Sequence, residues 1–533
     1  MYFNIVSFFG FFGFILVAWL FSSHRRVINL SLLLWGVLLQ FVFGAVVFLL
    51  PAGRRFFSFL NDGVFSLLSH ANEGVSFVFG RLALPPGQKD SLGVFLAFQV
   101  LPAAVFFAAI VAFLYHIGFM PMLIRFFSRL FTGLMRVSGA ESLCVSSNIF
   151  VGVESSLTIR PYLSTMTRSA LCTILTARMA TIASTVLALY ASFLQQSFPQ
   201  IAGHLISASI VSAPAALMIS KLLLPETETP QTLGQEVKSE ESHYENSIES
   251  LIKGSMEGAK LAVGIGATLI TFVSLVALAN SFVGWTGQSL GAPHQSLQSL
   301  ASYAFYPLVL LMGVPTQDAW SVSHLLATRT FLTEFPCYLE LSKMLQQGTL
   351  HDPRSAVIAV YALCGFAHIP SLGIFVGGMA AIAPERARDL SAVAFRALFA
   401  ATLACMMTGA LAGVFYHGQD TILIGQPARR TAPQHPANTA HTHKSPRRIA
   451  PQHRTTSKLP DVRTTTRSPA QPSLTQPALQ PAAQPALQRT SQPAAQPTLH
   501  ITSQPAAQPH KQDSAQPTNK TPPTASRPAG WRP

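Results

Sequence analysis

Seven apolar stretches recur along this sequence, each close to the ~20 residues a helix needs to cross a ~30 Å hydrocarbon core. They run from Phe3 to Ser22, Leu30 to Leu50, Leu92 to Tyr115, Ser169 to Leu194, Ile201 to Leu224, Ala259 to Val283 and Leu390 to Tyr416. In hydrocarbon every backbone N–H and C=O must be paired within the protein, so a chain patterned this way folds into spanning helices. Composition agrees: only 11% of residues are charged, against about 25% in an ordinary soluble protein. The expected class is an all-α polytopic membrane protein.

A formal charge of +14 would suggest a nucleic-acid partner if it were spread over the fold. It is not, because residues 426–533 carry 14 of the 36 Lys and Arg, 2 of the 22 Asp and Glu, and 20 of the 37 prolines. The rest of the chain is nearly neutral, and no nucleic-acid partner is expected. From about Gln471 the tail repeats units such as Gln-Pro-Ala-Ala-Gln-Pro, too rich in proline and too poor in large apolar residues to form a core. Residues 419–533 are therefore expected to be disordered with polyproline character. Their basic part, Arg429 to Arg467, reads either as a segment that binds anionic lipid or cell-wall polymer or as a solvated linker. Cys144, Cys172, Cys337, Cys364 and Cys405 form neither a disulfide framework nor a metal-ligand spacing and read as small core residues.

Charge also orients the chain. Arg25 and Arg26 follow the first apolar run instead of preceding it, which argues against a signal peptide and puts that loop in the cytoplasm. Arg386 and Arg388 precede the last run, so both termini are expected outside. Arg54 and Arg55 then lie on the outer side, against the bias.

Between the spans lie less regular segments. Phe56 to Leu82 and Met120 to Val137 mix apolar residues with charges and are expected to lie along the interface. The expected divisions are residues 1–90, 91–224 with a first re-entrant hairpin at about 139–165, a polar loop at 225–258, 259–418 with a second hairpin at about 319–346, and the tail. Each hairpin is broken by a carboxylate beside helix-disfavouring residues: Glu154 between Gly152 and Pro161, and Glu334 between Thr333 and Pro336. Each is followed by an interrupted span, around Ala180 to Val186 and Cys364 to Gly373. This repeated order points to the midplane site of a secondary transporter with an inverted repeat, where free helix ends and unwound backbone supply ligands.

A carboxylate at membrane depth costs several kcal/mol and is usually tolerated where it faces a cavity or a partner. Glu154 and Glu334 are thus functional candidates, unless Arg160 and Arg329 simply neutralise them. Glu141 and Glu340 stand nearer helix ends and read as structural. Arg178 either snorkels or lines the cavity.

With these residues in view, the chain resembles the concentrative nucleoside transporter family, the bacterial NupC-like proteins. The resemblance runs from about residue 5 to 416. It rests on ordered blocks that include Phe98-Gln99-Val100-Leu101-Pro102, Gly139-Ala140-Glu141-Ser142, Ile159-Arg160-Pro161-Tyr162, Met312-Gly313-Val314-Pro315, Glu334-Phe335 and Tyr361 to Ala367. It implies about eight transmembrane helices, two re-entrant helical hairpins and interfacial helices, assembled as a homotrimer in a bacterial cytoplasmic membrane. It also implies no enzymatic activity and no cofactor beyond a coupling ion, Na⁺ or H⁺, with nucleoside carried by elevator-type alternating access. The family's cation ligands fall on Asn148, Val151, Thr181 and Ile182. Its substrate positions fall on Gly152, Val153, Glu154, Val186, Glu334, Phe366, His368 and Ser371.

Three departures alter the site's chemistry. The first hairpin is one residue shorter than in the family, so a Gln-Thr pair becomes Val153 alone. An Asn is replaced by His368 and a Ser by Pro370, and the Asn before the second Glu is Thr333. A site built on hydrogen bonds discriminates by its donors and acceptors, so nucleobase preference does not carry over. His368, with an unperturbed pKa near 6.5, either makes binding pH-dependent or stands as a neutral imidazole in place of the amide. Two other classes compete with transport: an intramembrane acid–base enzyme, and a non-transporting nucleoside receptor or scaffold.

Overall fold

The computed structural model describes residues 1–84, 90–93, 95–151, 153–237, 244–289, 291 and 295–418, with the side chains of residues 152–158 and 193 outside that description. The expected disordered tail, residues 419–533, lies outside it too. The described residues are helical, with no strand beyond one isolated bridge between Ser138 and Leu233.

Two spans open the chain, α1 (Tyr2–Leu20) and α2 (Leu30–Phe48), the second capped by Asn29, which accepts from the Leu32 N–H. Pro51 then starts α3 (Pro51–Phe79), an amphipathic helix matching the first interfacial expectation, because a proline at the first helical position sacrifices an N–H that has no partner anyway. The short α4 (Leu96–Gln99) and α5 (Ala103–His116) make the third crossing. The second interfacial helix, α6 (Phe119–Met135), lies between two left-handed residues, Gly118 and Arg136.

The first hairpin comprises α7 (Gly139–Phe150) and a 3-10 segment, Val153–Thr165. It leads into a broken span, α8 (Arg168–Ala180) and α9 (Ser184–Leu194), followed by α10 (Ile201–Leu223). Next come α11 (Ser247–Ser289) and α12 (Leu297–Leu311). The second hairpin is α13 (Thr316–Phe331) with α14 (Glu334–Gln347), and its broken span is α15 (Pro353–Leu363) with α16 (Ile369–Ile382). The chain crosses last as α17 (Ala387–Phe415).

Seven of these elements are long and apolar enough to span a membrane, and they coincide with the seven apolar runs. The interrupted α15–α16 pair supplies an eighth crossing. Two features differ from expectation. Helix α11 begins at Ser247, well inside the stretch assigned to the 225–258 loop, because Glu249 with Lys253 and Glu257 with Lys260 pair along its exposed face. At 43 residues it is about 65 Å long, twice the hydrocarbon thickness. Helix α12 was not anticipated.

The core lies where α8, α10, α15 and α17 pack together. The spans containing α8, α10 and α17 are more than four-fifths buried, whereas α11 packs chiefly on α5 and is 17% buried. Small residues allow the close approach that replaces hydrophobic driving force in lipid. Gly365 bears on the site: at φ +153° it opens the break between α15 and α16, and a Cβ there would lie 2.8 Å from Cys405 Sγ, 2.9 Å from the Met179 carbonyl oxygen and 3.0 Å from the Ala180 carbonyl carbon. The two broken spans therefore touch backbone to backbone at their breaks. Arg354 ties the periphery together, donating to Gly313 O (2.8 Å), Asn4 Oδ1 (3.1 Å), Phe3 O (2.8 Å) and Ser7 Oγ (2.6 Å). All five cysteines are free and buried.

Candidate functional site

Both hairpins begin with a buried acid at the third helical position. Glu141 is the third residue of α7, where it completes a capping box with Ser138 and pairs with Lys221 at 2.6 Å. Asp318 is the third residue of α13 and accepts from the His351 and Asp352 N–H groups and the Ser355 hydroxyl, which anchors the start of α15. Both buried acids hold architecture, in line with the structural reading of Glu141. Glu340 is half exposed beside Lys343.

At the other end, the hairpin tips meet the breaks. Helix α7 stops at Phe150, whose carbonyl accepts from Ser184 Oγ at 2.5 Å, stitching the first tip to the start of α9. The Thr181 hydroxyl donates to Ala177 O (2.9 Å), which leaves its lone pairs as acceptors. The Ile182 N–H donates to Ser209 Oγ at 3.2 Å.

In the second half, α14 starts at Glu334, so the carboxylate sits in its first turn, where unpaired N–H groups and the helix dipole favour negative charge. Helix α16 starts after His368, whose Nδ1 accepts from the Ser371 N–H at 3.1 Å. With Nδ1 used as an acceptor, the ring N–H is the one at Nε2. That nitrogen stands 2.8 Å from Glu334 Oε2. The Tyr190 hydroxyl donates to Glu334 Oε1. Glu334 is thus held by the Tyr190 hydroxyl with His368 Nε2 close by but not aligned as a donor to it, and the neutralising partner offered by sequence proximity is not the one used: Arg329 turns away and donates to Ala362 O.

These groups face a cavity of about 510 Å³. Its walls include Asn148, Val151, Thr181, Val186, Glu334, Phe366, His368 and Ser371, eight of the twelve positions expected to bind ion or substrate. Ile182 is buried next to Thr181 but does not line the cavity. Of the remaining three, Gly152 lies outside the described residues, as do the side chains of Val153 and Glu154, so the Glu154–Arg160 alternative stays there as well. Arg178 lines the cavity with its guanidinium 5.6 Å from the Phe375 ring centre. Glu257, Lys260, Gly264 and Thr268 of α11 form the facing wall, with the first two paired at 2.7 Å.

Sequence reading passed over Tyr190 and the α11 wall. A signal for Tyr190 existed: it lies four residues after Val186, on the same helical face, with a hydroxyl that an apolar span cannot leave unpaired.

Models of known families match most of the described chain. The Na⁺ dependent nucleoside transporter N-terminus matches residues 9–82, nucleoside recognition (gate) residues 97–197, and the Na⁺ dependent nucleoside transporter C-terminus residues 204–413. The uncharacterized transporter YutK of Bacillus subtilis is 34% identical over 403 residues, 75% of this chain and 96% of that protein. Mouse solute carrier family 28 member 3 is 38% identical over 425 residues, 77% of this chain but only 59% of the relative's length. Among solved structures, CNTnw in an inward-facing substrate-bound state superposes with a TM-score of 0.70 at 32% identity, covering 77% of this chain and 97% of that one. The chain belongs to the Na⁺ dependent, concentrative nucleoside transporter family. It is a multi-pass membrane protein whose relatives are transporters, and the acid–base enzyme reading falls away.

Proposed function

We propose that the protein is a Na⁺-coupled symporter that carries nucleosides into a bacterial cell across the cytoplasmic membrane, with both termini outside. The observation that carries this reading is one cavity shared by two sets of groups. On one wall stand the amide of Asn148, the backbone at Val151 and the hydroxyl of Thr181; on another stand Glu334, His368 and Ser371. Neutral oxygens of the first kind suit a hard cation. The second set suits a ribose, whose hydroxyls donate to a carboxylate and accept from an imidazole N–H.

Phe366 and Val186 offer apolar surface to the base, whose edge meets fewer fixed polar groups here because a Gln-Thr pair is absent from the first hairpin. The substrate is therefore recognised mainly through its sugar, with broad tolerance for the base. Alternating access follows if the two hairpins and broken spans, joined at Gly365, move as one body past α5 and α11 within a homotrimer. Sodium is favoured over the proton because the expected ion ligands do not titrate.

Purified protein in vesicles with imposed Na⁺ or H⁺ gradients and a panel of labelled nucleosides tests this reading. Accumulation driven by Na⁺ is expected, for purine and pyrimidine nucleosides alike. Accumulation driven only by H⁺ would refute the choice of ion. Binding without accumulation would make the protein a receptor and refute transport.

A further inference from the structure

The hairpin helices share a register at both ends. Glu141 and Asp318 are each third from the start of α7 and α13, while Asn148 and Arg329 are each third from the end. The two helices differ by four residues, close to one turn, 12 against 16. Arg329 thus occupies in the second half the position that Asn148, a candidate cation ligand, occupies in the first.

Its surroundings correspond as well. The candidate ion ligands Thr181 and Ile182 immediately follow the last residue of α8. Arg329 reaches the corresponding end of the other broken span, two residues short of the matching position, where Nη1 donates at 2.5 Å to Ala362 O, one residue before α15 ends. The side chain is fully buried, and among the described residues no carboxylate pairs with it. Glu334, five residues on, is engaged by Tyr190 instead, with His368 close by. Nε and Nη2 meet no oxygen or nitrogen acceptor among the described residues, and the Cys405 thiol lies beside the guanidinium. A buried cation without an anion is costly unless something compensates it. Here the compensation is the negative end of α15, where carbonyls lack intrahelical partners.

We infer that Arg329 is a resident cation: its guanidinium fills, in the second half of the repeat, the place a coupling ion takes in the first. One transported cation per nucleoside follows, with the second position permanently charged by the protein itself. This inference rests on the symport reading above and concerns how many ions move.

The test uses the full chain in vesicles, where the reversal potential of nucleoside-driven current gives the charge moved per substrate. One charge per nucleoside, with Na⁺ dependence of slope about one, is expected; two charges would overturn the inference while leaving symport intact. A wild-type protein with no ion-driven accumulation would instead overturn the symport reading on which it rests. Arg329→Lys should keep one-ion coupling. Arg329→Ala should lower uptake by about tenfold or more, the scale of removing a buried charge from a helix end, with recovery on adding methylguanidinium. An alanine variant that transports with unchanged rate and unchanged ion dependence would also overturn the inference. If that variant does not insert, the wild-type charge ratio and the lysine variant decide.

Discussion

The first and second halves of the molecule repeat one architecture and fill it with opposite chemistry. Around the first break the groups proposed to bind the ion are neutral, a hydroxyl, an amide and backbone at Thr181, Asn148 and Val151, with the Arg178 guanidinium lining the cavity beside them. Around the second break stand Glu334, His368 and the buried Arg329. A helix–break–helix element supplies the same free backbone ends each time, so what it binds is decided by the few side chains aimed at those ends. On the proposed reading, the first half takes its ion from solution, while the second carries Arg329 as its own cation and offers a carboxylate to a sugar.

The largest expected effect tests whether the second half carries substrate recognition. Glu334→Gln should reduce nucleoside uptake by about 100-fold or more, since the ribose hydroxyls proposed to donate to it lose a charged acceptor and each such bond contributes about 1.5–3 kcal/mol. Uptake within threefold of wild type, measured on inserted protein, would remove the carboxylate from the binding step. An intermediate effect divides the halves directly. Thr181→Val preserves volume and deletes a hydroxyl; the half-saturating Na⁺ concentration should rise about tenfold, with nucleoside KM at saturating Na⁺ unchanged. If KM at saturating Na⁺ moved equally, the separation of roles would be wrong. The smallest effect sharpens the second half. Tyr190→Phe removes one bond to Glu334 while keeping the ring, and a roughly threefold to tenfold rise in nucleoside KM is expected with Na⁺ dependence unaltered. An unchanged KM would mean that the Tyr190 hydroxyl does not hold the carboxylate for substrate.

Much of this arrangement was legible beforehand, and the reason is the solvent. Hydrocarbon forbids unpaired backbone, so spans announce themselves by length, and departures such as Gly-Val-Glu or Thr-Glu-Phe-Pro announce breaks. What sequence hid is equally physical. Helix α12 is 15 residues long, with Pro307 inside it and Ser302 turned inward, so it carries no spanning signature. The start of α11 was hidden by its charges, which read as a solvated loop until they pair along one helical face. Arg329 stands five residues from Glu334, close enough in sequence to suggest an ion pair. The chain ends one helix and starts another between them, and that reversal sends the two side chains to different neighbours. His368 was visible as a departure, but its tautomer required the Ser371 N–H that its Nδ1 accepts.

The contact at Gly365 has a thermodynamic meaning. Backbone meets backbone where Gly365 faces Met179 and Ala180, and the Cys405 thiol touches the carbonyls of both Ala180 and Cys364, so displacement at one break is felt at the other. Ion and nucleoside occupancy then become linked equilibria: whatever factor the ion contributes to nucleoside affinity, nucleoside must return to ion affinity. Under the proposed symport, such linkage favours crossing either fully loaded or empty over crossing partly loaded, which would dissipate the gradient.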